Sequence, residues 1–438
     1  MKTQSDTVRH YVLERLENST FEPGMRLPGS RKISEELTIS RPVVQNALDT
    51  LVNEGVLRSV SRSGLYVDSA WQSRRPRNTL RVYTTDEFLP WMTMFREEIS
   101  KRIPELHISQ RCEEGDFEIV TTATAQTRHE EFADLMPLLK TCYPDFSPFC
   151  REQLKPFMQK DALTALPFLF SPRLMACNLK ILEKAGCAVP SCDWTLDDFV
   201  ALVEKLSGSS SVENVFLWNN SYYLWMNFIL SAGGRLFCLD REDPVCFDSA
   251  ESVAALKVFH SLKGNCSVQS GKDYISRCGS CAFSVIDSQI YGLNPEIFDR
   301  DFVFLPMPGV SPEHTGRSIQ ATELLVMRRR CIDSKLAVPL IEFLWSGKFQ
   351  DHLAALHHGI PLRKSSIAKA FENCGKPYST FQNVLEKLHS EYQLSSPDLF
   401  KLISSGISSI LSGNEDIAPQ VEELAFVVRK YLKYTRKL

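Results

Sequence analysis

"LPGSRKISEELTISRPVVQNAL", residues 27–48, holds two short apolar-periodic runs separated by a polar break. The first, Ser30 to Leu37, places Ile33 and Leu37 on one face, and "TIS" closes it. Ser40 is a good N-cap for the second run, in which Val43, Val44, Ala47, Leu48 and Leu51 follow the helical period. Upstream, "TVRHYVLERLEN" carries Val8, Tyr11, Val12 and Leu16 at the same period, and "FEPGMRLP" breaks it with Pro23, Gly24 and Pro28. Downstream, the helix is expected to end near Gly55. "VLRSV" and "GLYVD", separated by "SRSG", then predict a hairpin with a basic tip. Helix, helix, turn, helix and hairpin make a winged helix-turn-helix, expected over residues 1–70 with double-stranded DNA as its partner.

The chain is too long to be only that. At 438 residues it exceeds the size at which one hydrophobic core stops growing. A hydrophobic fraction of 43% with 24% charged residues excludes a mostly disordered chain. Residues 1–78 hold 12 Lys+Arg against 9 Asp+Glu, whereas the remainder holds 38 against 44, so only the N-terminal piece leans towards a polyanion. No apolar h-region or membrane-length run is visible, and the thirteen cysteines form no framework. A cytoplasmic protein with reduced thiols is expected, with no membrane partner. Cys278 and Cys281 form a CxxC, but no second pair stands at zinc spacing, so no metal is expected.

The run "PGMRLPGSRKISEELTISRPVVQNALDTLVNEGVLRSVSRSGLYV" resembles the DNA-binding domain of the GntR regulators. It shows the proline-glycine turn, Leu-Pro before the second helix, Ser-Arg opening the third, Glu-Gly closing it and Gly-aromatic-Val in the wing. The resemblance implies DNA-facing positions at Arg31, Ser40, Arg41, Val43 and Gln45, with Arg62, Ser63 and Gly64 at the wing tip. Arg41 is the expected guanine reader, because its guanidinium fork matches O6 and N7. Pro42 and Gln45 depart from the family, which has a hydroxyl residue and frequently Arg there. Pro42 is compatible with a first helical turn. Because one small module rarely buries enough surface for specific affinity, a homodimer is expected.

Residues 71–79, within "SAWQSRRPRNTLRVY", read as a linker, and residues 80–438 as an effector domain. "LRVYTT", "LHISQR" and "FEIVTTAT" read as strands, the last opening a loop. "FLPWMTMFREEISKRI", "SPRLMACNLKILEKAG" and "YYLWMNFILSAGG" read as helices, as does "TLDDFVALVEKL" behind its N-cap Thr195. Such alternation predicts α/β layers around mainly parallel sheets. "ALPFLFSPRLMACNLKILEKAG" with "DWTLDDFVALVEKL", then "SAGGRLFC", "FDSAESVAALKVFHSL", "AFSVID" and "DFVFLPMPG" resemble, in order, the type-1 extracellular solute-binding proteins, the maltose-binding-like group. That resemblance implies a two-lobed α/β periplasmic-binding-protein-like fold with a small-molecule effector bound between the lobes.

Cleft residues are expected at strand ends and in the loops that follow. These positions are Thr84 and Thr85, Thr122 and Thr124, and Trp218, Asn219 and Tyr222. Asp287, Ser288 and Gln289, Gln320 and Thr322, and Arg363 complete the set. Aromatic faces mixed with Asp, Asn, Gln and Arg suit a sugar, whose hydroxyls take paired hydrogen bonds. A peptide or an amino acid is the competing class. For Trp225, Met226 and Phe228 helical spacing predicts core packing, while Trp218 and Tyr222 are open to either role. A fusion to a pyridoxal-phosphate aminotransferase-like enzyme is a third reading. It lacks a Schiff-base Lys in a phosphate cradle, and no GxSxG elbow or phosphate loop is present, so neither enzyme nor cofactor is expected.

Overall fold

The computed structural model describes the chain except for residues 1–3, 18–19, 72–77, 83–88, 110–114, 239–240, 265, 268–273, 275, 294, 330–333, 373–376, 390–395 and 436–438. Its first elements are α1 (Gln4–Glu17), α2 (Ser30–Leu37), α3 (Arg41–Asn53), β1 (Leu57–Val60) and β2 (Gly64–Val67). Glu22-Pro23-Gly24-Met25 closes a turn through the Met25 amide on the Glu22 carbonyl at 2.9 Å, with Gly24 at φ +80. Proline at the second and glycine at the third position are what a type II turn requires. The turn delivers Arg26 and Leu27 to the open edge of β2, where Leu27 donates to Leu65 at 2.9 Å. Between α2 and α3, Thr38 adopts φ 54, and the Ser34 hydroxyl holds the Ile39 carbonyl at 2.6 Å.

Val8, Val12, Ile33, Val44, Leu48, Leu51 and Val67 form one core under these elements. Two side-chain contacts tie α1 to its neighbours. Arg9 pairs with Glu54 at 2.6 Å, and the Tyr11 hydroxyl donates to Glu36 at 2.5 Å. Burial and that bond push the Tyr11 phenol up to about 12, so it stays a donor at any physiological pH.

The chain divides into two compact units, Met1–Thr121 with Glu130–Phe168 and Glu323–Phe349, and Thr122–His129 with Leu169–Thr322 and Gln350–Leu438. In the first, β3 (Thr79–Val82) lies parallel to both β4 (His107–Ser109) and β5 (Phe117–Thr121). The strand Ala321–Met327 then runs antiparallel to β5, from Glu323 opposite Thr121 to Met327 opposite Phe117. The helix α4 (Met92–Arg102) covers this sheet through Trp91 and Phe95, which stack edge-on at 5.4 Å. Glu118, fully buried on β5, is held between Arg81 at 3.1 Å and Arg328 at 3.3 Å.

In the second unit the strand Leu174–Asn178 is central, flanked by Phe283–Ile286 and Phe302–Pro306. All of this pairing is antiparallel, which corrects the expectation of mainly parallel sheets; among the described residues parallel pairing joins β3 to β4 and β5, Leu217–Trp218 to Cys266–Ser267, and Ser318–Ile319 to Leu388–His389. Leu174–Asn178 also corrects the reading of "SPRLMACNLKILEKAG" as one helix. Asn178 divides it, because its side chain accepts from the amides of Lys180 and Ile181 and caps the short helix that follows. The loop expected after β5 is instead a helix, Thr122–Thr127. Thr195 caps Leu196–Ser207 in a reciprocal capping box with Asp198. Among the described residues, no helix is long and apolar enough to cross a membrane.

Candidate functional site

The third helix of the N-terminal domain presents a polar face. Pro42 stands in its first turn, where the missing amide costs nothing, and Ser40 occupies the N-cap position without a side-chain cap bond. Arg41 and Gln45, one turn apart, are exposed. Arg41 Nε donates to Ser30 Oγ at 3.4 Å, and Gln45 Nε2 to Asp49 at 2.9 Å. Val43 is half-buried and leans on the core, so little beyond its edge is offered outward. On α2, Arg31 pairs with Glu35 at 3.0 Å in full exposure, a contact weak enough to be exchanged for a phosphate. At the wing tip Arg62 has φ 61, and Ser63 Oγ lies 2.6 Å from the Tyr66 hydroxyl. Gly64 has φ +116, and a Cβ there would meet Arg26 Nε at 3.2 Å, so conformation and space both favour glycine. Replacing Arg41 by Ala is expected to weaken operator binding by about 1–3 kcal/mol and to relax preference at one base pair. Equal loss on every sequence, read by titration of labelled duplexes, would make Arg41 a phosphate contact.

The helix α1 shares a cavity with α4 and β4. Arg9, His10 and Leu13 line this cavity of about 410 Å³ with Arg96, Pro104 and His107. The rings of His10 and His107 stand 6.0 Å apart, edge to face.

The second unit builds a polar and aromatic cluster. Asp287, in the turn after Phe283–Ile286, receives Arg173 Nη1 and the amide of Ile290, the latter at 2.9 Å. Arg173 occupies the turn between two wholly buried strands, where the Ser318 hydroxyl accepts its amide at 3.0 Å. Its guanidinium lies 5.8 Å from the centre of the Tyr223 ring, and Asn219 Nδ2 donates to the Tyr223 hydroxyl at 3.0 Å. Behind them the Tyr274 hydroxyl bonds both the carbonyl and the amide of Val285, at 2.8 and 2.9 Å. Burial, with Tyr223 nearby, holds its phenol well above the ordinary range. Ser288 donates its amide to Ser171 Oγ at 3.0 Å.

Asn219, Asp287 and Ser288 are thus brought into one network. Arg173 and Tyr223, absent from the expected set, join them. The available signal was a lone charge between the apolar runs "LPFLF" and "LMACN". Thr122, Gln320 and Thr322 form a second group, with Thr122 Oγ1 donating to the Gln320 carbonyl at 3.2 Å and Gln320 Nε2 to Thr322 at 2.8 Å. Thr124, Gln289 and Arg363 are half-buried, and Arg363 donates its amide to Gln350 at 3.1 Å. Tyr222 packs edge-on against Phe400 at 5.2 Å. Trp218 lies in the core, its indole N–H on the Phe259 carbonyl at 3.1 Å, so its face is not offered to a ligand. Trp225, Met226 and Phe228 are core residues as their spacing predicts. Thr84 and Thr85 lie outside the described residues. Cys278 and Cys281 are buried, and burial pushes the Cys278 thiol up to about 11. Among the described residues no group of three His, Cys, Asp or Glu could hold a metal ion.

The family profile described as bacterial regulatory proteins, gntR family, matches residues 4–67, and that of bacterial extracellular solute-binding proteins matches residues 120–374. The transcriptional repressor NagR of Bacillus subtilis is 31% identical over 99 residues, 22% of this chain and 35% of NagR. The chain spans only about a third of the curated relatives it matches. Among solved structures, a solute-binding protein of Thermotoga lettingae bound with α-D-tagatose superposes with a TM-score of 0.68 at 16% identity, covering 82% of this chain and 100% of that one. The GacH receptor of Streptomyces glaucescens, solved unliganded and with acarbose, gives 0.66 at 15%, covering 82% and 99%. With the solute-binding profile matched over more than half its length, the chain belongs to the bacterial extracellular solute-binding protein family and carries a gntR-type winged helix-turn-helix at residues 4–67.

Proposed function

We propose that this chain is a ligand-responsive transcriptional regulator of the cytoplasm. It binds an operator as a homodimer through Arg41, Gln45 and the wing, and takes a carbohydrate as effector in its solute-binding part. The carrying observation is the cluster of Arg173, Asp287, Asn219 and Tyr223, which sets a buried ion pair against an aromatic ring. Sugars need that combination, because their CH faces stack on rings while their hydroxyls bridge charged and amide groups. Acarbose and tagatose in the two similar structures support the same class.

A thermal-shift screen of mono- and oligosaccharides against amino acids and peptides tests the class. A true effector at 100 times its dissociation constant should add about 2.7 kcal/mol. Stabilisation by amino acids alone would overturn the carbohydrate assignment. Operator affinity, titrated with and without the effector, should shift by about 5–150-fold, and effector affinity by the same factor on adding operator, since linkage is reciprocal. An effector that leaves operator affinity unchanged would refute the regulatory reading.

A further inference from the structure

We propose that the outer stripe of the helix Ile417–Thr435 is where a second copy of this chain docks, antiparallel, about a two-fold axis between Phe426 and Val427. The inference rests on the regulator reading above, which needs two DNA readers, and assigns the surface that joins them.

Ile417, Val421, Ala425 and Val428 form the inner face of this helix and are buried. Arg429 anchors it sideways, to Asp243 at 2.6 Å and Asp248 at 2.7 Å. One amphipathic face is therefore already satisfied, and a helix with a single core to cover is polar elsewhere. This one is not. Among the described residues seven large hydrophobic side chains are exposed, and three of them, Phe426 at 58%, Val427 at 44% and Tyr434 at 80%, belong to this helix. With Pro419, Glu423 and Lys430 they follow one another along its outer side at helical spacing.

The order of those six residues is self-complementary. Phe426 and Val427 flank the midpoint, Glu423 and Lys430 stand equally far from it on opposite sides, and Pro419 and Tyr434 do so again further out. Within one chain Glu423 and Lys430 are separated by about 10 Å along the axis, too far to pair. Neither has an ion-pair partner among the described residues. An antiparallel copy brings each Glu423 level with the other's Lys430, Phe426 against Val427, and Pro419 against Tyr434. A parallel copy would set like charges side by side. The Lys430 ammonium already lies 5.1 Å from its own Phe426 ring, at the edge of the apolar patch where the partner carboxylate would arrive. An isologous contact of this kind closes at two copies.

Sedimentation velocity of the full chain, over a range of concentrations, tests the surface. The unmodified chain should dimerise, and Phe426→Asp should abolish it. Glu423→Lys and Lys430→Glu should each weaken the dimer by about tenfold, because the symmetry makes every substitution count twice. The double variant Glu423→Lys with Lys430→Glu should recover, since each reversed charge then meets a reversed partner. All three positions are solvent-facing, and unchanged circular dichroism confirms that the variants fold. A dimer of equal strength in every variant, or a chain that stays monomeric with and without operator DNA, overturns the proposal. Operator binding is measured separately by fluorescence anisotropy. A chain that dimerises through the stripe yet ignores DNA keeps this surface and sinks the regulator reading.

Discussion

Asp287→Ala is expected to destabilise the protein by about 3–5 kcal/mol, the cost of stranding one member of a buried ion pair. The side chains of Arg173 and Asp287 are 13% and 4% exposed, so water cannot replace the lost carboxylate around the guanidinium. Asp287 also accepts the Ile290 amide at 2.9 Å, and its loss frees that donor at the start of the helix Ser288–Leu293. Two further variants apportion the effect. Asp287→Asn keeps an acceptor for Ile290 while removing the charge, and should cost less than Ala. Arg173→Ala combined with Asp287→Ala removes both charges, and should cost clearly less than the sum of the single changes, because the uncompensated ion disappears. Urea unfolding followed by tryptophan fluorescence reads the midpoints. A loss below about 1 kcal/mol for Asp287→Ala would show that Arg173 is hydrated or otherwise paired. In the same variants the effector-induced stabilisation should vanish, since the pair forms the charged end of the proposed sugar site.

The N-terminal domain was legible because its determinants are local. The Pro23-Gly24 turn, the break at Thr38 and the N-cap position of Ser40 each act within a few residues, and their spacing specifies three helices and a hairpin. What the sequence could not show is that Arg26 and Leu27 extend the wing sheet, because that pairing crosses some forty residues and leaves no periodic trace. The same limit governs the larger part. Leu174–Asn178 lies in a run with helical composition, and only the capping chemistry of Asn178 separates strand from helix. Its neighbours in the sheet come from residues 283–306, so neither their direction nor their order could be deduced locally. In the candidate site, Asp287 and Asn219 stood out as polar residues at strand ends. Arg173 did not, because a two-residue turn, Pro172 and Arg173, between buried strands carries no periodic signal, although a charge there has to be paired.

Trp218→Ala is the second large effect, and here the structure favours core packing over the ligand-facing role, the two readings the sequence left open for this residue. Trp218 is 6% exposed and stacks on Phe259 with centroids 5.6 Å apart and planes inclined by 30°. Its indole N–H satisfies the Phe259 carbonyl at 3.1 Å, in the last turn of the helix Ala250–Ser261. The strand Leu217–Trp218 also pairs in parallel with Cys266–Ser267, so the side chain joins a helix end to a strand. Truncation should leave a cavity and remove one of the two donors to the Phe259 carbonyl, which keeps the Leu262 amide, costing about 3–5 kcal/mol. Trp218→Phe keeps most of the ring and loses only the donor, for about 1–3 kcal/mol. In either variant, effector affinity measured calorimetrically on the folded fraction should stay within about twofold of the parent. Tyr223→Ala should do the opposite, because Tyr223 is half-buried beside Arg173 and bonded to Asn219. Removing its ring should cost little stability and most of the affinity. If Trp218→Ala instead keeps its unfolding midpoint and loses the effector response, the tryptophan is a ligand platform and the packing assignment is wrong.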